Sequence, residues 1–231
     1  NLRLNTKVTA ASLMDEGFDE VIVATGIIPR TPPILGADHK KVMSYLDVLR
    51  DKKPVGHKVA IIGAGGIGFD VGEFLVHKHA SSEKAEKQQW YKEWGVDTDL
   101  VNRAAIVGAD IATPERQVFL LQRKDSSVGK NLGKTSGWVH RAVLKMKDVE
   151  MIGGVSYDKI DDEGLHITID GKQQVLDVDN VVICAGQESR KALYVEDHAS
   201  TNFHIIGGAQ FAGELDAKRA IKQGAEVAAA L

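Results

Sequence analysis

The chain of 231 residues has the composition of a folded protein, since 43% of its residues are hydrophobic and 26% are charged. A formal net charge of −3 argues against a nucleic-acid partner, which would require a basic surface. No apolar run approaches the roughly 18 residues of a membrane-spanning helix, so we expect no membrane partner. The one cysteine, Cys184, cannot form an internal disulfide, and its apolar neighbours predict a buried structural role. These features favour a protein of the reducing cytoplasm.

The first predicted strand covers residues 20–26 and ends in Thr25 and Gly26. Small residues at the end of a strand let the backbone run close beside a bound nucleotide, because they have little side chain to obstruct it. A proline-rich segment at residues 29–33 begins a linker near residues 30–56. Within it, the apolar spacing from Tyr45 to Leu49 predicts a short helix that stops before Pro54.

The most informative motif follows this linker. An apolar run at residues 59–62 predicts a buried parallel strand, and the residues after the motif have apolar side chains at helical spacing. Between them lies the pattern G-x-G-x-x-G, formed by Gly63, Ala64, Gly65, Gly66, Ile67 and Gly68. In this pattern the first glycine permits a tight turn, the second admits a pyrophosphate and the third lets the helix pack against the strand. The sequence therefore predicts a dinucleotide site here.

A second nucleotide signal comes after a long insertion. Residues 77–116 are polar and weakly periodic, so we place the next strand of the nucleotide domain at residues 117–122. Arg123 and Lys124 stand at its end, where a dinucleotide fold reads the adenosine ribose. Arginine there fits the 2′-phosphate of NADPH, with Lys124 or Lys130 adding charge. The alternative is a solvated basic loop that extends through Lys130 and Lys134.

The rest of the chain predicts more strands and one helix. Residues 151–175 alternate between apolar and polar side chains and suit a β-meander. Residues 180–186 form a strand that ends in Gly186, and residues 203–209 form another that ends in Gly207, Gly208 and Ala209. A helix at residues 214–228 completes the chain, with small residues along one stripe.

Several other side chains suggest chemistry at first sight but lack the required pattern. Residues 129–135 resemble a nucleoside-triphosphate loop, yet only three residues separate the two glycines where that motif has four. His77 and His79 point apart on a helix and have no third ligand. His140 suits a structural or solvated role, and the aromatic run from Trp90 to Trp94 suits an apolar cover or an interface. We predict no catalytic residue and no metal site in this chain.

Longer strings resemble the C-terminal part of the bacterial 2,4-dienoyl-CoA reductases, in the NADH:flavin oxidoreductase family related to trimethylamine dehydrogenase. The resemblance runs along the whole chain and rests on IPRTPP, SYLDVL, VAIIGAGGIG, LQRK, LGKT and VVICAGQE, at residues 28–33, 44–49, 59–68, 121–124, 132–135 and 181–188. It implies an N-terminal TIM barrel with FMN, a four-iron four-sulfur cluster, and nucleotide-binding domains for FAD and NADPH. Electrons would pass from NADPH through FAD, cluster and FMN to an unsaturated fatty acyl-CoA of β-oxidation.

The resemblance implies an α/β fold in which a Rossmann-like NADPH-binding domain, with a parallel sheet and a β-meander, is flanked by parts of a second, FAD-binding Rossmann-like domain. The implied boundaries are residues 1–35 and 189–231 for the FAD domain and 36–188 for the NADPH domain. The glycine turn with Arg123 and Lys124 would then hold NADPH, and Gly186 is a further cofactor-binding candidate. Thr25, Gly26, Gly207, Gly208 and Ala209 would lie along FAD.

The resemblance also implies parts that these residues lack. No initiator Met is present, so we expect the barrel, the FMN and cluster sites and the first FAD glycine loop to lie upstream on the same polypeptide, which makes the FAD site incomplete here. Gln210 stands where these flavoproteins often have an Asp. Two alternatives stay open: the electron-input module of another flavoprotein, similar to the small subunit of glutamate synthase, and a non-catalytic nucleotide-binding redox sensor.

Overall fold

Residues 1–77, 82–196, 201–213 and 215–231 are described by the computed structural model of the protein. They fall into two units: unit 1 combines Asn1–Arg30 with Gly186–Leu231, and unit 2 is the continuous segment Thr31–Ala185. These junctions lie a few residues from the domain boundaries predicted at residues 35/36 and 188/189. His79 of the histidine pair and Glu214 at the start of the predicted last helix lie outside the described residues.

The described helices and strands belong first to unit 1, then to unit 2 and finally to unit 1 again. Unit 1 begins with α1 (Ala10–Asp15), β1 (Glu20–Val23) and β2 (Ile27–Pro29). Unit 2 contains β3 (Val42–Ser44), α2 (Tyr45–Leu49), β4 (Lys58–Ile62), α3 (Gly66–Val76), α4 (Glu83–Glu93), β5 (Gln117–Leu121), α5 (Gly137–Met146), β6 (Glu150–Ile152), β7 (Ser156–Asp161), β8 (Gly164–Ile169), β9 (Lys172–Leu176) and β10 (Asn180–Ile183). Unit 1 resumes with β11 (Gln187–Ser189), β12 (Asn202–Ile205), α6 (Gly207–Gln210) and α7 (Ala217–Ala230).

Unit 2 is built on a five-stranded parallel sheet in the order β3-β10-β4-β5-β6. A separate antiparallel meander, β7-β8-β9, leads the chain back to β10. The Rossmann-like α/β class predicted from the sequence is therefore confirmed. The extent of the meander needs one correction: Met151 and Ile152 belong to β6, an edge strand of the parallel sheet, and the meander begins at Ser156. Alternation alone could not separate the two, because β6 is only three residues long.

The central sheet is buried on both faces, which explains the continuous apolar runs of β4 and β5. On one face, Val59 and Ile61 join a core with Phe69 and Leu144 from α3 and α5. On the other face, Ala60 and Ile62 join a core with residues of the meander strand β8. Each fully buried Val, Leu, Ile or Phe side chain contributes about 1.5–3 kcal/mol, so this double burial stabilises β4 and β5 at the centre of unit 2.

The insertion in unit 2 is more ordered than its polar sequence suggests. Ser82 caps α4 through its side chain, and the last residue of that helix, Glu93, is buried. The Glu93 carboxylate pairs with the ammonium of Lys147, whose side chain is only 2% exposed and which also donates to the Ala112 carbonyl at 3.0 Å. Trp94 packs edge-on against Trp138, with ring centroids 6.5 Å apart. The insertion thus packs against both ends of α5.

Unit 1 contains two small sheets among its described residues. β1 pairs with β12 in parallel, and β2 pairs with β11 antiparallel. Val21 and Val23 of β1 form its core with Ala209. Asp216 caps α7 by accepting from the Arg219 amide at 2.6 Å. Across the parts of both units that the structure describes, no helix is both long and apolar enough to cross a membrane.

Candidate dinucleotide-binding site

The glycine turn joins the buried end of β4 to α3, as predicted. Gly63 has φ +109°, and an added Cβ would lie 2.5 Å from the Cys184 carbonyl oxygen, so both backbone conformation and space require glycine. At Gly68 an added Cβ would lie 1.9 Å from the Gly63 carbonyl oxygen. These two contacts hold the first turn of α3 directly against the end of the sheet.

The outer side of the same turn is open. An added Cβ at Gly65 or Gly66 would meet no atom within 4 Å, and both residues are exposed. Gly65 is the N-cap of α3 and has no side chain that could cap the helix amides. The first-turn amides of Gly66, Ile67 and Gly68 have no carbonyl acceptor inside the helix, and the helix dipole adds partial positive charge there. The residues present therefore fit a pyrophosphate.

Arg123 and Lys124 lie at the same edge of the sheet. β4 and β5 run parallel with Ile62 beside Leu121, and the Gly63 amide donates to the Leu121 carbonyl at 3.0 Å. The loop after Leu121 is braced by Gln122, whose Nε2 donates to the carbonyl oxygens of Lys124 and Ser126 at 2.8 and 3.0 Å. Sequence reasoning assigned no role to Gln122, because a side chain that braces its own loop has no pattern signal.

The charges of this loop face solvent. Arg123 and Lys124 are exposed, and within the described ranges neither has a carboxylate partner. The Arg123 guanidinium is near Tyr157 of the meander: burial raises the pKa of Tyr157, and the nearby cation lowers it in part. Two adjacent cations beside a set of unbonded helix amides make a surface suited to a phosphorylated ligand.

β10 forms the other flank of the turn. Ile183 lies beside Ile62, and the Cys184 amide donates to the Ile62 carbonyl at 2.8 Å. Burial raises the pKa of the Cys184 thiol to about 12, and the Asp70 charge adds to this. Such a thiol is not a nucleophile at neutral pH. Cys184 thus acts through its backbone, as the wall that excludes a side chain from Gly63.

The residues predicted to lie along FAD are in unit 1, together with Gly186. Gly26 has φ +73° and open space around it, and the Thr25 hydroxyl donates to the Arg190 carbonyl. Gly186, the further cofactor-binding candidate, has φ +97° and lies against Arg30. Gly207, Gly208 and Ala209 are more enclosed, and their assignment to FAD stays a prediction. The Gly207 amide donates to Gln223 Oε1 at 2.7 Å, Gly208 lies against Ile27, and Ala209 is fully buried.

Two further clusters of polar side chains lie outside the glycine turn. His140 Nδ1 pairs with Glu73 at 2.5 Å between α5 and α3, in keeping with a structural role. Asp161, Glu163 and His166 at the β7–β8 turn place one ligand atom each within 4.8 Å of one another. Lys159 pairs with Asp161 at 2.7 Å, and its ammonium would repel a cation there.

The parallel sheet, the glycine turn and the meander define a Rossmann-like dinucleotide-binding protein. The family model described as pyridine nucleotide-disulphide oxidoreductase matches residues 3–228, and the chain belongs to that family. The family's cofactors are FAD and NAD(P), and the glycine turn of this chain fits the pyrophosphate of such a dinucleotide.

Curated relatives and solved structures agree with this family. The chain is 30% identical over 209 residues to the cinnamate reductase of Clostridium sporogenes and 25% identical over 213 residues to the metal reductase of Desulforamulus reducens. Both alignments cover 90% of this chain, but only 26% and 31% of those proteins. The structure of a 2-naphthoyl-CoA reductase in complex with 2-naphthoyl-CoA is similar with a TM-score of 0.73 and 25% identity, over 97% of this chain and 28% of that one. The chain thus spans about a third or less of these relatives.

Proposed function

We propose that this chain is the nucleotide-binding portion of an NADPH-dependent reductase of the 2,4-dienoyl-CoA reductase type, working in the cytoplasm. In it the chain would take hydride from NADPH to FAD for onward transfer to an unsaturated acyl-CoA. The observation that carries the proposal is the placement of Arg123 and Lys124 at the end of β5, next to the glycine turn at the end of β4.

The choice of NADPH over NADH follows from charge. The pyrophosphate, which both nucleotides share, would bind the amides of Gly66, Ile67 and Gly68. Only NADPH carries a 2′-phosphate, and a guanidinium can bind it through paired N–H donors. A carboxylate that would instead accept from the 2′-hydroxyl of NADH is absent from position 123, although Asp125 follows two residues later.

The residues of this chain would bind and orient the cofactors and not react themselves. When bound, the nicotinamide supplies a hydride and the flavin accepts it. In unit 1 the open backbone at Gly26, which follows Thr25, supports a flavin contact. The 231 residues include one cysteine, so the iron–sulfur cluster, with FMN and the barrel, is proposed for the remainder of a longer reductase.

The substrate class is proposed from the dienoyl-CoA reductase resemblance and from the names of the relatives. One structural relative is named for the reduction of 2-naphthoyl-CoA, which is an acyl-CoA thioester, and a curated relative is named for the reduction of cinnamate. A 2,4-dienoyl-CoA contains the same thioester group as 2-naphthoyl-CoA.

The nucleotide assignment is tested by titration of the purified chain with NADPH and NADH. Arg123→Asp should weaken NADPH binding about 10- to 150-fold, because it removes a charge-assisted donor pair and adds repulsion. NADH binding should change little. Lys145→Glu on α5 is the matched control for added negative charge, since Lys145 is also exposed and lies in the same unit. Equal losses for both nucleotides would mean that Arg123 does not read the 2′-phosphate.

The substrate is tested with the full-length protein under anaerobic conditions. NADPH oxidation is followed with a 2,4-dienoyl-CoA, with cinnamate and with 2-naphthoyl-CoA in parallel. The proposal requires the dienoyl-CoA to be reduced fastest. Rapid NADPH oxidation with an artificial electron acceptor, without reduction of any of the three, would identify an electron-input module of another flavoprotein. Nucleotide binding without flavin reduction would identify a sensor.

A further inference from the structure

The loop between β5 and α5 is folded onto the nucleotide helix α3. Val128 and Leu132 of this loop pack into the same core cluster as Ala64 and Ile67, which belong to the glycine turn. The loop and the glycine turn therefore share one hydrophobic core. The family resemblance gave the segment at residues 132–135 no role.

Two glycines bring the loop backbone into direct contact with its surroundings. Gly129 is buried with φ +73°, and an added Cβ would lie 2.6 Å from the Phe69 ring, in the first turns of α3. Gly137 begins α5, and an added Cβ there would lie 2.6 Å from Leu132 Cβ. Neither position has room for a side chain. The backbone at Gly129 is thus packed against the ring of Phe69, the fourth residue of α3.

Arg141 holds this backbone from the other side. Its Nη1 donates to the Gly129 carbonyl at 2.9 Å, from one turn into α5. The amide of the next residue, Lys130, donates to the Ser127 carbonyl at 3.1 Å, and the Lys130 side chain is exposed. Throughout the part of the chain that is described, the Lys130 ammonium has no carboxylate partner. Lys130 is therefore an uncompensated cation on a braced backbone, next to the glycine that packs against Phe69 of α3.

We propose that Lys130 binds a phosphate group of the dinucleotide and that Arg141 is a positioning residue, acting on Lys130 through the Gly129 carbonyl. This inference rests on the proposed function, namely that the glycine turn binds a pyridine dinucleotide. A lysine ammonium on a flexible four-carbon stem suits a phosphate that is recognised as a point charge. Because Gly129 contacts Phe69, close to the N-terminus of α3, the pyrophosphate is the expected phosphate.

The first experiment measures Kd values for NADPH and NADH with the wild-type chain and with Lys130→Met. We expect about a tenfold loss for both nucleotides, because both carry the pyrophosphate. A loss confined to NADPH would also support a phosphate contact, with the 2′-phosphate as its target. Lys145→Met is the matched control: it removes the same charge from an exposed site on α5 and should leave both Kd values unchanged.

The second experiment tests how Arg141 acts. Arg141→Met is measured alone and in the Lys130→Met background, with circular dichroism to confirm that each variant is folded. If Arg141 positions Lys130, its loss weakens binding several-fold in the wild-type chain and has little further effect once Lys130 is gone. Equal effects in both backgrounds would show that Arg141 acts independently of Lys130 and would overturn its positioning role.

Failure of the inference can be told apart from failure of the proposed function. If the wild-type chain binds neither nucleotide, both fail together. If the wild-type chain binds NADPH and Lys130→Met binds it equally well, the proposed function stands and Lys130 is a solvated surface lysine. Unchanged binding in Lys130→Met is thus the result that overturns the inference by itself.

Discussion

Two strands of this chain end in a glycine that leads into a helix, one in each unit. In unit 2, β4 reaches Gly63 with φ +109° and continues into the eleven residues of α3. In unit 1, β12 is followed by Ile206 and then by the four residues of α6, of which the first is Gly207 with φ +61°. The surroundings differ: β4 has a parallel neighbour on each side, whereas β12 pairs with β1 in a two-stranded sheet.

The difference lies in what the backbone amides do. The Gly63 amide bonds to the neighbouring strand, and the first-turn amides of α3, which have no acceptor within the helix, can bind a ligand. The Gly207 amide is already bonded to the Gln223 side chain of α7. Similar strand–glycine–helix sequences can thus form one turn whose amides are open to an anion and one whose glycine amide already binds a side chain of the same unit.

The largest expected effect comes from a variant that weakens unit 2 away from its turn. Lys147→Met leaves the Glu93 carboxylate buried without its partner, which should cost about 3–5 kcal/mol of unfolding free energy. The NADPH affinity of the folded protein should not change, because the pair lies outside the turn. Urea unfolding measures the unfolding free energy, and titration measures the NADPH affinity. The double variant Lys147→Met, Glu93→Leu should recover much of the loss, and an equally unstable double variant would contradict this account.

The next prediction compares the helix glycines of the two turns. Gly68→Ala forces a methyl group against the Gly63 carbonyl oxygen, so we expect a loss of about 1–3 kcal/mol and a fall in NADPH affinity. Gly208→Ala in unit 1 meets the Ile27 Cγ2 methyl first, at 2.9 Å, and a side chain can move more easily than backbone. Gly208→Ala should therefore lower the unfolding free energy by less than Gly68→Ala does. Equal losses in thermal unfolding would remove the distinction between the two turns.

A third variant isolates the open side of the unit 2 turn. Gly65→Ala places a methyl group where no protein atom lies within 4 Å, so stability should stay within about 0.5 kcal/mol of wild type. The same methyl group would occupy the space proposed for the pyrophosphate, and NADPH affinity should fall about tenfold, or 1.4 kcal/mol. Calorimetric titration checks this. An unchanged affinity would place the phosphates elsewhere.

The unit 2 turn was predictable because its signals are local. The apolar run of β4, the three glycines and the helical spacing of α3 follow one another along the chain, and each reports a physical need of the same turn. The basic pair after β5 could be found for the same reason. The identity of the bound nucleotide stays a prediction, since charge alone supports it.

Features that depend on distant side chains could not be predicted. The bond from Arg141 to Gly129 and that from Gln223 to Gly207 each join a side chain to a backbone group, 12 and 16 residues apart, without a repeating pattern. The buried pair of Glu93 and Lys147 is hidden for the same reason, because both residue types are ordinarily exposed. Short strands such as β6 give too few residues to separate one sheet from another.

The smallest expected effect tests the closed turn. Gln223→Leu removes the acceptor of the partly buried Gly207 amide and the bond to Gln210, which should cost about 1 kcal/mol and speed hydrogen exchange of that amide about fivefold. NADPH affinity should not change. Lys222→Met is the control on the same helix, since it removes only an exposed ion pair worth a few tenths of a kcal/mol.

In the full-length protein, Gln223→Leu also tests whether the turn of unit 1 binds flavin. If the Gln223 side chain is only a structural partner of the Gly207 amide, the amount of flavin that the variant retains stays at the wild-type level. If flavin competes with Gln223 for this amide, the variant retains more flavin, and the turn of unit 1 is then a second anion site that the Gln223 side chain occupies.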